Sequence, residues 1–165
     1  MTYLVRMTLE HFAWAMDETV YDTADGHLPS FDGLLQPPGD VESIEVLSWL
    51  KRTAATVPMT IGIGIWLIVE GQEAVGIISF KKLPENGEVE IGYSVTESRR
   101  GRGHATRAVA LVIAEANALG LDLTAETADD NRASKAVLVK NGFVECGERI
   151  DDDDGPVILW RRPAG

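Results

Sequence analysis

Cysteine is nearly absent: Cys146 is the only one in 165 residues. An intrachain disulfide is thereby excluded, as is a metal centre built on a cysteine cluster. Cys146 has no histidine near it in sequence, and a half-buried strand thiol is a simpler reading than a nucleophile. Histidine is scarce too. His11, His27 and His104 show no metal-ligand spacing, so no metal site is expected. Long hydrophobic runs are missing. The longest, around Ile61 to Val69, is interrupted by glycines and is too short to cross a bilayer. The Met1 end lacks the cationic, apolar and small-residue succession of a secretory signal, and a cytoplasmic location is expected. Positive charge is in deficit: 15 Lys and Arg against 26 Asp and Glu give a net charge of −11. Such a surface repels phosphate backbones and anionic lipid, so neither nucleic acid nor membrane is an expected partner. No repeat, linker or domain boundary is visible, and residues 1–165 are expected to form a single domain with a sizeable core.

Against that acidic background one stretch inverts the charge. Arg99, Arg100, Arg102 and Arg107, four of the 15 basic residues, fall within nine positions. They sit in EVEIGYSVTESRRGRGHAT, Glu88 to Thr106, and just beyond it; the stretch starts as an alternating strand, becomes a glycine-rich basic loop and enters a helix. A helix N-terminus carries unpaired N–H groups and a partial positive charge, and small residues let backbone amides reach an anion. The stretch is expected to hold phosphate.

The elements around it follow from periodicity. Thr2 to Met7 reads as a strand, and Thr8 as the N-cap of a helix with Leu9, Phe12, Ala13, Met16 and Val20 on one face. Asp22 to Asp40, rich in Pro and Gly, is a lid or a disordered segment. Asp40 is the expected cap of a second helix, with Ile44, Leu47, Leu50 and Ala54 as its stripe and Pro58 at its end. Ile61 to Val69, Ala74 to Lys82 and Glu88 to Thr96 then make an antiparallel meander. From Gly103 the period becomes 3.6, with Ala105, Ala108, Val109, Val112, Ala116 and Leu119 on one face and Gly120 as the stop. Leu121, Leu123 and Ala125 form the fifth strand. This strand–helix–strand unit calls for a parallel pair with a right-handed crossover. Asp130 or Asn131 caps a fourth helix through Lys140, and the strands Phe143 to Ile150 and Val157 to Trp160 close the chain. The fold class expected is α+β: a mostly antiparallel sheet of about seven strands, a parallel pair of the fourth and fifth strands, and about four flanking helices.

RRGRGHA, Arg99 to Ala105, contains from Arg100 the R/Q-x-x-G-x-G/A signature, and NRASKAVLVKNGF, Asn131 to Phe143, follows at a fitting distance. Together with EIGY on the preceding strand, these segments resemble the GNAT superfamily of N-acetyltransferases, and within it the RimJ/RimL-like ribosomal-protein N-acetyltransferase branch. The resemblance is close over Glu88 to Glu145. It implies a GNAT-like domain that moves an acetyl group from acetyl-CoA to a primary amine, a protein N-terminus or a small molecule, by direct attack on the thioester. The pyrophosphate would lie on the amides of Arg102, Gly103, His104, Ala105 and Thr106. Gly101 and Gly103 would permit close approach, and Arg100 and Arg102 would add charge, with the inward one of the two left open. Ser94 and Val95 would splay from the next strand and pair with the pantetheine arm. Asn131 would bind the same arm, and Lys140 would lie near the phosphates.

The implied chemistry needs a base for the amine and an acid for the departing thiolate. Glu90, on the face of Ser94, is the candidate base, with a solvated sheet carboxylate as its plainer reading and Glu88 as a weaker competitor. Leu138 stands where many family members carry a Tyr, so Ser134 is the candidate acid, weighed equally against a first-turn hydroxyl bonding backbone. Tyr93 reads as a core strand aromatic rather than a catalytic phenol. Trp14 and Trp49 read as core residues before acceptor contacts, and Asp151 to Asp154 as a solvated hairpin tip. Two alternatives stand beside the enzyme. The missing Tyr is compatible with a non-catalytic acyl-CoA sensor or interaction module of the same fold. Gly101-x-Gly103-x-x-Thr106 approaches a dinucleotide fingerprint, but the third glycine is absent and antiparallel strands precede it. The acceptor amine, the length of the acyl group and the choice between monomer and homodimer are left open.

Overall fold

The computed structural model describes residues 1–16, 30–31, 33–35, 42–56, 64–152 and 155–165. Its strands are β1 (Thr2–Arg6), β2 (Ser30–Phe31), β3 (Leu34–Leu35), β4 (Ile65–Glu70), β5 (Glu73–Phe80), β6 (Glu88–Val95), β7 (Asp122–Ala128), β8 (Val144–Asp151) and β9 (Gly155–Arg162). The helices are α1 (Leu9–Met16), α2 (Ile44–Thr56), α3 (His104–Ala118) and α4 (Arg132–Lys140). Seven main strands run in the order β1-β4-β5-β6-β7-β9-β8, with β3 attached to β5 and β2 to β3. All neighbours on the main path are antiparallel except β6 and β7, which are parallel. The fold class is the one expected, and the parallel pair is the fourth and fifth of the strands read from the sequence. The short β2 and β3 are additions. They lie in the Pro/Gly segment, where pairing of β3 with β5 and of β2 with β3, rather than local pattern, makes the strands. The expected features at Val20, His27, Asp40, Pro58, Ile61, Ile63 and Asp153–Asp154, and most of the 22–40 loop, lie outside the described residues.

The sheet divides two apolar clusters. Trp66, Ile68, Val75, Ile78, Phe80, Val89 and Ile91 face α3 and α4, through Val109, Val112, Ala116 and Leu138. On the other face Ile65, Leu67, Val69, Ala74 and Ile77 pack with Phe12, Trp14, Leu47 and Leu50 of α1 and α2. Central strand β4 is buried on both faces, which is why IWLIV is a continuous apolar run. Trp66 meets Phe80 edge to face at 5.3 Å, and the Trp160 indole N–H donates to Thr127 at 2.9 Å, so both are sheet-packing residues.

Strand pairing positions the site. β5 pairs with β6 from Gly76↔Val95 to Phe80↔Ile91. β6 pairs with β7 only at Glu88↔Asp122, Val89↔Leu123 and Glu90↔Thr124. Beyond that point β7 pairs with β9 as far as Ala128, while Ile91 to Val95 stay with β5. The sheet therefore opens between β6 and β7, and the backbone of Ile91 to Val95 presents an edge without ladder partners on that side.

Candidate active site

Two cavities of about 520 Å³ each meet at this opening and share Tyr93, Ser94, Asn131 and Ser134. The first runs under the basic loop. Its walls include Val95, Arg100, Gly101, Gly103, His104, Ala105, Thr106 and Lys140. Gly103 is the N-cap of α3, at φ +77°, and no side chain caps the helix. The first helical bond runs from Arg107 N–H to the Gly103 carbonyl at 3.1 Å, so the amides of residues 104–106 precede the helical ladder and stand at the cavity wall. Arg100 lines this cavity, and its Nε donates to the Val95 carbonyl at 3.0 Å. Arg102 lines a different depression, of about 340 Å³, with Glu70, Glu73 and Arg107. Arg100 is thus the inward arginine. Arg99 is committed: its guanidinium forks onto Glu73 at 2.7 and 2.8 Å.

His104 is buried beneath the loop. Arg107 Nη2 stands 3.0 Å from its Nδ1, and Thr2 Oγ1 stands 3.5 Å away, an environment in which Nδ1 accepts. Burial, then the Arg107 charge, hold the imidazole below its usual range. The native imidazole refuses a proton that the unfolded chain takes up below about pH 6.5, so stability is complete above that pH and declines as pH falls through it. The slope is at most about 1.4 kcal/mol per pH unit for one group. Melting temperatures of wild type and His104→Asn between pH 7.5 and 5.5 are expected to converge toward the acid end. A parallel decline in both proteins would contradict this role.

At the junction, Tyr93 packs its ring against the core while its hydroxyl lies 2.7 Å from Ser134 Oγ and donates to the Ser134 carbonyl at 3.3 Å. Burial pushes the Tyr93 phenol above its usual range, so it is a protonated donor at neutral pH. The Ser134 amide donates to Asn131 Oδ1 at 3.0 Å, which makes Asn131 the cap of α4. Leu138 is fully buried in the α3–α4 cluster. Tyr93, read from sequence as a core aromatic, thus also carries a hydroxyl at the site. No sequence signal could give that, because the Tyr93–Ser134 contact spans 41 positions.

The second cavity lies on the α2 side, with Glu42, Trp49, Ser79, Lys81, Glu126 and Thr127 among its lining. Trp49 faces it, whereas Trp14 is a core residue. Glu90 pairs with Lys81 Nζ at 2.6 Å, and its carboxylate belongs to neither cavity wall. Glu88 is paired with Arg161 at 2.6 Å. Glu42, missed in the sequence, accepts a hydrogen bond from Ser94 Oγ. Asp151 is paired with Arg149 at 2.7 Å. Among the described residues no cluster of His, Cys, Asp and Glu could hold a metal, and no helix is long and apolar enough to cross a membrane.

The basic helix N-terminus, the opened parallel pair and the N-x-x-S segment now stand in one place. Residues 6–144 match the family model for the acetyltransferase (GNAT) domain, and the chain belongs to the GNAT family of acetyltransferases. Solved structures share its fold. RimL, a ribosomal L7/L12 alpha-N-protein acetyltransferase in complex with coenzyme A, aligns with a TM-score of 0.71 at 20% identity, over 98% of this chain and 93% of its own. A ribosomal-protein-S5-alanine acetyltransferase from Vibrio fischeri aligns with a TM-score of 0.69 at 16% identity, over 99% and 93%. A chimera of the spermidine N-acetyltransferase SpeG from Vibrio cholerae and hSSAT aligns with a TM-score of 0.70 at 12% identity, over 99% and 95%. No curated protein sequence matches the chain.

Proposed function

We propose that residues 1–165 act as a single N-acetyltransferase domain that moves an acetyl group from acetyl-CoA to a primary amine, either a protein N-terminus or a small molecule. One observation carries this reading: two cavities of about 520 Å³ meet where β6 leaves β7, one under a helix N-terminus and one lined by carboxylates. The first suits an elongated phosphate-bearing donor, because its uncapped amides and cationic residues lie at one end and an unpaired strand edge at the other. The pyrophosphate rests on the amides of Gly103, His104, Ala105 and Thr106, beside Gly101, with Arg100 and Lys140 as counter-charges. Arg102 contributes its amide and only long-range charge. The pantetheine arm pairs with the edge at Ser94 and Val95 and meets Asn131. An N–H of that edge faces the developing oxyanion.

Ser134 hands the departing thiolate its proton and draws on Tyr93 behind it. This pair takes the place of a Tyr at position 138, so the absence of that Tyr does not call for a non-catalytic sensor. The names of RimL and the ribosomal-protein-S5-alanine acetyltransferase support a protein N-terminal α-amine, and that of the spermidine enzyme a small polyamine. Release of coenzyme A thiol across amine classes, with the acetylated product identified by mass, tests the reading.

A further inference from the structure

We infer that Glu42, two residues before α2, is the general base that deprotonates the acceptor amine; the inference rests on the acetyl-transfer reading above. The charged residues lining the acceptor-side cavity are Glu42, Lys81 and Glu126. Two of them are neutralised by partners. Lys81 Nζ is 2.6 Å from Glu90, and Glu126 is forked by Arg149 at 3.0 and 2.6 Å. Glu42 has no ion pair among the described residues. Its carboxylate accepts from Ser94 Oγ and from the Ser43 amide at 2.8 Å, both uncharged. Among the described residues, the unbalanced charge in the cavity is therefore this one carboxylate.

Its location fits the task. Ser94 lies on the freed edge of β6 and lines both cavities, so Glu42 is one hydroxyl away from where the two substrates meet. An arriving ammonium finds its counter-charge beside the thioester. Glu90 lacks both properties: it is bonded to Lys81 and stands outside the cavity walls.

The step balances. The ammonium gives one proton to Glu42, which releases it to solvent. The nitrogen lone pair attacks the thioester carbonyl, forming the C–N bond, and the C–S bond breaks as the oxyanion collapses. The adduct nitrogen loses its second proton to solvent, and solvent returns one to Tyr93 and Ser134 after they protonate the sulfur, so these two transfers cancel. Each turnover yields an amide, a free thiol and one proton. At neutral pH only about one molecule in a thousand of an amine with a pKa near 10 is unprotonated, so a base at this point controls the rate.

The test compares wild type, Glu42→Gln, Glu42→Asp and Glu90→Gln in thiol release with three probes: an N-terminal alanyl peptide, spermidine and benzylamine. Glu42→Gln is expected to lower kcat about 100-fold or more with the acetyl-CoA Kd unchanged. Its residual rate is expected to rise by up to about tenfold per pH unit above pH 7 with spermidine and benzylamine, as solvent deprotonates the amine, and to level off near pH 8 with the alanyl peptide, whose α-amine has a pKa of about 8. Glu42→Asp is expected to recover part of the loss. A purely helix-capping role would lower the melting temperature without giving that pH slope, and would overturn the proposal. So would a kcat within threefold of wild type, or a larger loss with the pH slope in Glu90→Gln than in Glu42→Gln. Wild type that binds acetyl-CoA but turns over none of the three probes would instead overturn acetyl transfer itself, and the base with it.

Discussion

Gly103→Val is expected to raise the dissociation constant for acetyl-CoA about 100-fold, equivalent to about 3 kcal/mol. Two costs combine. Gly103 has φ +77°, a left-handed conformation that a β-branched residue enters at a cost of roughly 1–2 kcal/mol. A side chain there also begins 3.0 Å from Arg107 Nη1 and stands at the mouth of the amides of residues 104–106. Arg107 can swing aside, so the backbone conformation carries most of the cost. If the loop rearranges to relieve it, the amides no longer converge on one anion. Titration calorimetry measures the loss, and the melting temperature without ligand separates it from unfolding. An unchanged dissociation constant would contradict the placement of the pyrophosphate on this loop.

The second large effect lies one strand away, at Gly76. A Cβ added to it would stand 2.2 Å from the Ser94 carbonyl oxygen and 3.0 Å from the Val95 Cα, both backbone atoms held by the β5–β6 ladder. No side-chain rotation relieves that contact, so the strands must part. Gly76→Ala is expected to cost about 3 kcal/mol and to lower the melting temperature by roughly 6–12 °C. Because the displaced segment is the freed edge at Ser94 and Val95, acetyl-CoA affinity is expected to fall as well. A melting temperature within about 2 °C of wild type would mean that the two strands are not this close. The glycine is required here for the approach of another backbone, as strand glycines often are.

These two glycines mark what was legible in the sequence and what was not. Gly103 lies inside a contiguous motif, where strand, loop and helix N-terminus succeed each other along the chain, so its place at the start of α3 could be read directly. The same holds for α3, whose half-buried position imposes the 3.6 period from Ala108 to Ala116, and for the parallel pair, which the strand–helix–strand order demands. Gly76 sits in an unremarkable apolar strand, EAVGIISF, and its meaning comes from Ser94, 18 positions later. The inward arginine could not be chosen between Arg100 and Arg102, because their side chains leave a turn rather than an element with a fixed period. Carboxylates were harder still. Glu90 shares a face with Ser94, as alternation requires, but Lys81 across the strand pair holds it, and cross-strand register is not written locally. Glu42 is separated from Ser94 by 52 positions and flanked by no motif. Tyr93 was legible as a packing residue because strand alternation sets the ring, while the partner of its hydroxyl is on α4. The cavity under the basic loop is thus lined largely by contiguous segments. The second cavity is assembled from α2, β5, β6 and β7, which only the folded sheet brings together.

The central claim, that the joined cavities carry acetyl from coenzyme A to an amine, is tested most directly by one screen. Purified protein is given acetyl-CoA and, separately, an N-terminal peptide, a polyamine, an amino-acid amine and an aminoglycoside, with thiol release and product mass followed together. At least one amine class is expected to release thiol well above the amine-free rate, with an equal amount of product heavier by one acetyl group. Acetyl-CoA that stabilises the protein yet is consumed with none of these amines would contradict it and leave a binding module in its place.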